Sequence, residues 1–313
     1  MRTEFPGGVW PTMITPFTAD NRIDFTALQP MADWYLRNGV SGLFAVCQSS
    51  AMFEMTLQER VELARASLRA VSGKVPVIAS GHIADSLRDQ VEESGRIIET
   101  GVDAFVFVTN RFARRDESDE VWFDNLQRVI GDLPSDVPFG LYECPYPYKR
   151  LLSPALIKKV ASTGRFCFLK DTCSRVDQIT AKLDAVRDTT LQFFNANAAT
   201  LLTSLQLGAA GYSGVMANFQ PDLYSWLCRH WRQQPELAEQ LQSFLGTASV
   251  FEYQLYPVNA KYYQQLEGLP IELYCRRADQ GLFTESQRLE IQQMRAVSAE
   301  YRSRIQAAAG HSG

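Results

Sequence analysis

The sequence predicts an α/β protein: a closed (β/α)8 TIM barrel followed by a C-terminal helical subdomain. Strand-like and helix-like segments alternate eight times within about 215 residues, which fits a closed barrel better than an open sheet. No G-x-G-x-x-G motif follows the first strand-like segment, so a dinucleotide-binding sheet has little support. A barrel places its chemistry at one mouth, at the carboxyl ends of its strands.

The eight units follow from hydrophobic runs and from helix-start signals. The strand-like segments are residues 9–14, 42–47, 75–79, 104–108, 139–142, 166–169, 191–195 and 211–215. The helix-like segments are residues 25–37, 57–70, 87–99, 120–130, 154–160, 176–186, 200–207 and 223–231. Thr56 and Glu59 have the spacing of a capping box, in which two side chains satisfy each other's backbone amides. Ser153 before Pro154 likewise predicts a helix start.

Only helical patterns follow the eighth unit, as at residues 236–245 and 285–305. We therefore predict two regions. Residues 1–232 form the barrel with its catalytic mouth, and residues 233–313 form a C-terminal helical extension.

Composition excludes several classes of protein. Of the 313 residues 46% are hydrophobic and 21% are charged, and the formal net charge is −4, so nucleic-acid binding is not expected. The apolar runs are too short to cross a bilayer, and no secretory signal is evident at the start. Six dispersed cysteines include no C-x-x-C pair. A cytoplasmic protein with reduced thiols is expected.

Lys170 is the strongest candidate for a catalytic residue. It is one of seven lysines and the only one that closes an apolar strand-like run, residues 166–170. Desolvation at a strand end disfavours the ammonium, and the neutral amine can then attack a carbonyl to form a Schiff base. The alternative is a lysine without a catalytic role, whose apolar stem lies along the protein while its ammonium group reaches solvent.

The other strand ends supply polar partners for this amine. Tyr142 ends the fifth strand-like segment and could carry the proton that Schiff-base formation needs; the alternative is an aromatic residue with its hydroxyl in water. The remaining candidates for the mouth, all predicted to contact substrate, are Ser49, Ser50, Phe112, Asn195 and Ser213.

Other chemistries have less support. The three histidines do not fall at metal-ligand spacing, so no metal site is expected. No G-x-S-x-G elbow occurs, and the glycines of residues 208–214 enter a strand instead of opening a phosphate-binding helix. Because a protonated imine is itself an electron sink, no cofactor is expected either.

Three short motifs occur in order and with family-like spacing. Residues 142–145, Tyr-Glu-Cys-Pro, are similar to a Y-N-x-P motif, and residues 169–172, Leu-Lys-Asp-Thr, to an [IL]-K-[ED]-[AST] motif. Residues 47–51 occupy the place of a G-[TS]-T-G-E motif. From residue 8 to about residue 300 the chain resembles the family of dihydrodipicolinate synthase and N-acetylneuraminate lyase, which are pyruvate-dependent class I aldolases. The resemblance implies that Lys170 forms the imine and that Tyr142 shuttles protons.

The chain also departs from the family pattern. The resemblance places Ser49 where the family binds a carboxylate with threonine, while Ser50 and Ala51 replace the glycine and the glutamate of the same motif. Phe112 stands where the family has a second tyrosine. Pro147 occupies the position of the arginine that dihydrodipicolinate synthases use for aspartate semialdehyde, and Arg150 lies three residues later.

We therefore expect a lyase that binds pyruvate or another 2-oxo acid as an imine on Lys170, with Ser49 and the Ser50 amide on the carboxylate. The aldehyde partner is expected not to be aspartate semialdehyde, because Glu143, Tyr146 and Tyr148 around the mouth would suit a neutral polyol or an aromatic aldehyde. A barrel that binds a metabolite without turning it over, and a genuine 4-hydroxy-tetrahydrodipicolinate synthase, are the alternatives.

Resemblance also implies a homo-oligomer, a tetramer or a dimer. The sequence adds only that aromatic residues crowd the loops at Phe112 and at residues 146–148, where a subunit contact could bury them.

Overall fold

Eight parallel strands form the centre of the protein in this computed structural model, which describes residues 5–310. The strands are β1 (Gly8–Val9), β2 (Leu43–Val46), β3 (Val77–Ala79), β4 (Ala104–Val108), β5 (Phe139–Tyr142), β6 (Phe166–Asp171), β7 (Gln192–Asn195) and β8 (Gly211–Tyr212). From β2 to β8 each strand pairs with the next strand in sequence, and β8 also pairs with β1. This arrangement confirms the predicted barrel.

The barrel closes between the segment after β1 and β2. Thr12 forms a parallel bridge with Phe44, and the Met13 amide donates to the Phe44 carbonyl at 3.0 Å. β1 is shorter than the predicted residues 9–14 because the chain changes partners there. The Trp10 amide donates to Tyr212 in β8, whereas Pro11 has no amide hydrogen and accepts from Phe44 in β2.

Helices connect the strands and surround the barrel. They are α1 (Phe25–Arg37), α2 (Leu57–Val71), α3 (Leu87–Ile98), α4 (Asp119–Gly131), α5 (Pro154–Ala161), α6 (Val176–Val186), α7 (Leu201–Gln206) and α8 (Pro221–His230). The predicted capping box is present, since Thr56 and Glu59 bond each other's backbone amides at the start of α2. Ser153 caps α5 through its bond to the Leu156 amide.

Large aromatic side chains fill the interior of the barrel. Phe168 and Phe194 stack with their ring centroids 4.4 Å apart, and Trp10 meets Phe168 edge-on at 5.4 Å. Gly42 makes room for this packing, because a Cβ atom there would overlap the Trp10 ring. The filled interior leaves the mouth of the barrel as the place for a ligand.

Three further helices follow the barrel: α9 (Pro235–Ala248), α10 (Val258–Leu266) and α11 (Glu285–Gly310). α9 packs closely on the barrel, with Leu241 and Leu245 fully buried and Gln242 accepting from the Leu202 amide at 2.8 Å. The division into domains at residues 232 and 233 stays a prediction. Among the described residues, no helix is long and apolar enough to cross a membrane.

Candidate active site

A cavity of about 630 Å³ opens at the carboxyl ends of the strands, the end at which barrel enzymes hold their substrates. Barrel loops and the C-terminal region both contribute to its wall. The residues that line it are Gln48, Ser49, Tyr142, Pro145, Lys149, Lys170, Thr172, Ser174, Ala196, Asn197, Gly214, Val215, Glu252, Tyr253, Leu255, Tyr256, Arg277 and Ala278.

Lys170 lies in the wall of this cavity near the end of β6. It is the register partner of Tyr142 in β5, and its Nζ lies 4.4 Å from the centroid of the Tyr142 ring and 5.9 Å from that of Phe44. The residue is only 3% exposed, and burial lowers the pKa of its amine from 10.5 to about 8. A substantial fraction of the amine is therefore neutral, and nucleophilic, at slightly alkaline pH.

Position distinguishes Lys170 from a second lysine with a similar pKa. Burial also lowers the pKa of Lys261 in α10 to about 8. The Lys261 ammonium, however, donates to the Tyr274 carbonyl and lies 5.2 Å from the centroid of the Phe17 ring. It stands outside the set of residues that line the cavity. A lowered pKa alone therefore does not distinguish these two amines, whereas the position in the cavity wall does.

Tyr142 presents a protonated hydroxyl beside this amine. Its Oη donates to Gln48 Oε1 at 3.3 Å, and the Cys144 thiol donates to the same oxygen at 3.3 Å. Burial raises the pKa of the Tyr142 hydroxyl well above its usual value of 10. The group is thus a proton donor in its resting state, with Gln48 holding its orientation.

Ser49 and Tyr256 add two neutral hydroxyls to the cavity wall. Ser49 Oγ donates to Thr12 Oγ1 at 3.3 Å and also hydrogen-bonds Tyr256. Tyr256 Oη accepts from Asn218 Nδ2 at 3.1 Å, and burial raises the pKa of this phenol well above 10. A hydroxyl proton can rotate about its C–O bond, so each group can turn its proton to a substrate oxygen without bringing a charge.

Glu252 supplies a carboxyl group in the cavity wall. Burial raises its pKa from 4.5 to about 7, although the charge of Lys170 acts in the opposite direction. This carboxyl can therefore hold or release a proton near neutral pH.

Besides Lys170, the cationic side chains of Lys149 and Arg277 line the cavity, and both already have partners. Lys149 Nζ donates to the Thr172 carbonyl at 2.9 Å. Arg277 donates to the Gln48 carbonyl at 3.0 Å and lies 3.5 Å from Glu54. Among residues 5–310, no group of three or more His, Cys, Asp or Glu side chains is placed to hold a metal ion.

The structure places three predicted substrate-binding residues outside the cavity lining. The Ser50 hydroxyl donates to the Cys47 carbonyl at 2.7 Å, and the Ser50 amide bonds the same carbonyl at 3.2 Å. Ser213 Oγ donates to the Trp10 carbonyl at 3.0 Å. Asn195 Nδ2 donates to Thr200 and Ser204 at 3.0 Å. Each of these groups already has a hydrogen-bond partner within the protein, and its contact with substrate stays a prediction.

Phe112 and Arg150 also lie outside the cavity lining. Phe112 is buried between His82 and Trp122, with ring centroids 5.7 and 5.3 Å away. Arg150 is turned toward α4, where it pairs with Asp119 at 3.1 Å and donates to the Glu117 carbonyl at 3.0 Å. The Arg150 side chain therefore does not fold back over the cavity.

Glu143 is not at the mouth, where the sequence placed it. It is fully buried and pairs with Lys182 at 2.6 Å, because it follows Tyr142 directly and successive side chains of a strand point to opposite faces.

The cavity residues that sequence reasoning missed include Gln48, Glu252, Tyr256 and Arg277. Gln48 lies inside the motif at residues 47–51, directly before Ser49, and could have been found by examining every side chain of that motif. The other three belong to the C-terminal region, which carried no signal of its own beyond a helical pattern.

With this geometry in hand, the chain can be compared with known proteins. The model of the dihydrodipicolinate synthetase family matches residues 5–295. A 4-hydroxy-tetrahydrodipicolinate synthase of Pseudomonas savastanoi pv. phaseolicola is 24% identical over 260 residues, which are 83% of this chain and 84% of the relative. YjhH of Escherichia coli K12, named as a probable 2-dehydro-3-deoxy-D-pentonate aldolase, is 26% identical over 286 residues, covering 86% of this chain and 89% of the relative.

Solved structures share the fold. A dihydrodipicolinate synthase from Bacillus anthracis superposes with a TM-score of 0.83 at 20% identity, covering 93% of this chain and 97% of that one. YagE of Escherichia coli K12, a family member solved in complex with pyruvate, superposes with a TM-score of 0.82 at 23% identity, covering 92% and 98%. At this level of identity the likeness establishes the barrel fold.

Proposed function

Because the chain belongs to the dihydrodipicolinate synthetase family, whose members are lyases and aldolases, we propose that it binds pyruvate or another 2-oxo acid as an imine on Lys170. The observation that carries this proposal is the amine itself. It is buried, its pKa is lowered to about 8, and it lines the cavity beside the Tyr142 ring. A Schiff-base nucleophile needs these properties.

The proposed reaction begins when the neutral Lys170 amine attacks the keto carbon. The C–N bond forms as the carbonyl π electrons move to oxygen, which takes a proton from the Tyr142 hydroxyl. The nitrogen then loses a proton to the Tyr142 phenolate. The carbinolamine hydroxyl takes this proton from Tyr142 and leaves as water, while the nitrogen lone pair forms the C=N bond of the protonated imine. The Tyr142 phenolate removes a proton from C3 to give the enamine, whose C3 bonds to the aldehyde carbon as the aldehyde oxygen takes the proton from Tyr142. Water adds to the carbon of the new imine, the C–N bond breaks and a proton returns to the Tyr142 phenolate, which releases the product and restores the neutral Lys170 amine.

Two hydroxyls support binding of the carboxylate of the 2-oxo acid. Ser49 and Tyr256 line the same cavity as Lys170, and both are neutral donors. The Ser50 amide, which the sequence suggested for this role, is already bonded to Cys47. We therefore assign the carboxylate to Ser49 and Tyr256.

For the second substrate we propose a neutral polyhydroxy aldehyde in preference to aspartate semialdehyde. Arg150 is held at α4 by Asp119, so it does not replace the arginine absent at Pro147. A relative named as a probable 2-dehydro-3-deoxy-D-pentonate aldolase lends support. The competing candidate is a 4-hydroxy-tetrahydrodipicolinate synthase, which the presence of Arg277 in the cavity wall favours.

A comparison of aldehydes separates these two candidates. With pyruvate as the fixed partner, we expect kcat/KM for aspartate semialdehyde to be at least about a hundredfold below that of an ordinary dihydrodipicolinate synthase measured alongside, because a buried bidentate arginine contact supplies about 2 to 3 kcal/mol. Normal rates in a coupled dihydrodipicolinate reductase assay would make the synthase the right answer.

We also propose that the protein forms a homo-oligomer, either a tetramer or a dimer. A cytoplasmic location is a further part of the proposal. Two exposed aromatic side chains support the first point: Tyr253 on the cavity wall is 85% exposed, and Tyr146 is 49% exposed. Light scattering at micromolar concentration tests it, and a monomer would contradict it.

Reductive trapping tests the imine. The protein is incubated with pyruvate and borohydride, digested, and mapped by mass spectrometry. We expect one reduced pyruvate adduct, on the peptide that contains Lys170, and none in the Lys170→Ala variant. Lys149→Ala, which removes an exposed lysine from the same cavity wall, should label normally.

An unmodified Lys170 after trials with several 2-oxo acids would remove the mechanism. Trapping without any aldol turnover would favour a barrel that only binds its metabolite.

A further inference from the structure

A buried ion cluster lies directly behind Tyr142 and Lys170. The ammonium of Lys182 in α6 lies 2.6 Å from Glu143 Oε1 and 2.6 Å from Asp171 Oδ1. The side chain of Lys182 is 2% exposed, and those of both carboxylates are 0% exposed. Glu143 follows Tyr142 in the chain, and Asp171 follows Lys170. One cation is therefore bonded to the immediate neighbours of both candidate catalytic residues.

The alternation of side chains along a strand explains this placement. Tyr142 and Lys170 face the interior and mouth of the barrel, so the next residues, Glu143 and Asp171, face outward toward the helix layer. Lys182 meets them from that layer. The cluster thus contacts the outer side of the same two strand ends whose inner side carries the proposed chemistry.

Glu143 also connects three segments of backbone. Its Oε1 accepts from the Leu152 amide at 2.8 Å, and its Oε2 accepts from the Thr172 amide at 3.1 Å. The Glu143 carbonyl accepts from Thr172 Oγ1 at 2.7 Å. These bonds join the end of β5, the end of β6 and the loop before α5. Lys182 is the only cation within hydrogen-bond distance of this carboxylate in the described part of the chain.

Stability alone gives a weak reason for such a cluster. Replacing a buried ion pair by well-packed apolar residues of similar volume is often neutral or stabilising, because desolvation offsets the attraction between the charges. Glu143 stands where the Y-N-x-P motif has a neutral asparagine, so this chain buries an acid whose ionised form requires a buried cation. The ion cluster forms directional hydrogen bonds to the ends of two strands. Apolar side chains in the same place could not form such bonds.

We propose that Lys182 is a positioning residue: through Glu143 and Asp171 it fixes the strand ends so that the Tyr142 hydroxyl reaches the atoms attached to Lys170 Nζ. This inference rests on the proposed function. A shift of about 1 Å between a proton donor and its acceptor can cost a hundredfold in rate, so loss of Lys182 should slow proton transfer more than it weakens substrate binding.

Two half-reactions of pyruvate separate this role from a general structural one, and neither requires the aldehyde. Borohydride trapping reports imine formation on Lys170. Exchange of the pyruvate methyl protons for deuterium, followed by NMR, additionally requires proton transfer after the imine has formed. For Lys182→Met we expect exchange to be slowed at least tenfold at saturating pyruvate. The yield of trapped Lys170 after the imine has reached equilibrium, and the apparent KM for pyruvate, should change less than threefold. Lys182→Arg, which keeps a cation and the bonds to both carboxylates, should recover most of the exchange rate.

Controls keep the test decisive. Lys158→Met, at an exposed position of α5, should behave as the wild type in both assays, and circular dichroism should show that every variant is folded. If Lys182→Met does not fold, the Glu143→Gln/Lys182→Met double variant takes its place, because it has the same cluster charge as the wild type. We expect the same loss of exchange rate in that variant.

A folded variant that exchanges at the wild-type rate, or a Lys182→Arg variant no faster than Lys182→Met, would overturn the inference. Absence of trapping in the wild type would instead overturn the proposed function, and the inference would fall with it.

Discussion

Two buried lysines of the same barrel wall, Lys170 and Lys182, have opposite electrostatic surroundings. Lys170 is 3% exposed and packs against the rings of Tyr142 and Phe44, and within residues 5–310 no carboxylate is bonded to it. Burial lowers the pKa of its amine to about 8. Lys182 is 2% exposed, and although burial opposes its charge, Glu143 and Asp171 outweigh that effect and raise its pKa above the usual value.

The difference teaches that burial alone does not make a nucleophile. A lysine buried among aromatic rings loses its proton readily, whereas a lysine buried between two carboxylates keeps it. For Lys170 the lowering from 10.5 to about 8 corresponds to about 3 kcal/mol against the charged form. In the proposed reaction the Lys170 amine carries out the chemistry, and the Lys182 ammonium holds the strands that carry Lys170 and Tyr142.

The largest change in the free energy of unfolding is expected when the Lys182 ammonium is removed from its place between Glu143 and Asp171. In Lys182→Met two buried carboxylates face each other without a cation, and breaking a buried pair in this way costs about 3 to 5 kcal/mol. Urea denaturation at pH 8 should show that loss in the free energy of unfolding. Lys158→Met, which removes an exposed lysine, should change it by less than about 0.5 kcal/mol.

The pH dependence of this loss follows from Glu143. Burial raises its pKa to about 7 even with Lys182 present, so without the cation it stays protonated to higher pH. An acid whose pKa is higher in the folded state than in the unfolded state loses stability as the pH rises through the folded value. The deficit of Lys182→Met should therefore shrink as the pH falls toward 6. A deficit that is absent at pH 8, or that grows at pH 6, would contradict the ion cluster.

A smaller change in the free energy of unfolding, of opposite sign, is expected when Lys170 is replaced. In Lys170→Met the cost of burying an ammonium disappears, so at pH 7 the variant should be more stable than the wild type by up to about 3 kcal/mol. Below pH 8 this advantage is complete. Between pH 8 and about 10.4 it should fade, because the wild-type amine is then neutral when folded but still protonated when unfolded. Denaturation curves at pH 7 and pH 10 provide the check, and a destabilised variant at pH 7 would refute the assignment.

The sequence was sufficient for the fold and for placing two side chains, Lys170 and Tyr142, in the cavity wall. Eight alternating hydrophobic patterns are local signals, and the structure has a strand in each predicted strand segment. Lys170 and Tyr142 end neighbouring apolar runs, and both line the cavity. A strand-end position therefore identified the correct edge of the barrel.

The direction of the other side chains could not be read in the same way. Asn195 ends β7, yet its amide group turns toward α7, where it donates to Ser204. Phe112 follows the short turn after β4, so its ring returns to an aromatic cluster with Trp122. A side chain one residue further along a strand points to the opposite face of the sheet and away from the cavity. An extra turn after the strand can have the same effect.

The C-terminal contribution was missed because it depends on contacts between distant parts of the chain. Arg277 reaches the mouth by donating to the Gln48 carbonyl, and Tyr256 does so through Asn218. Neither contact leaves a periodic pattern in the sequence. The pairing of Glu143 with Lys182 spans 39 residues and was hidden for the same reason.

The most direct test of the central claim is the pH dependence of trapping at Lys170. The initial rate at which pyruvate and cyanoborohydride label the Lys170 peptide is measured from pH 6 to pH 10, with the Lys182 peptide followed in the same digests. The account predicts that labelling of Lys170 rises with a midpoint near pH 8, where its buried amine becomes neutral, and that Lys182 stays unlabelled. A midpoint near 10.4, the value of an ordinary lysine, or an adduct on Lys182 would contradict it.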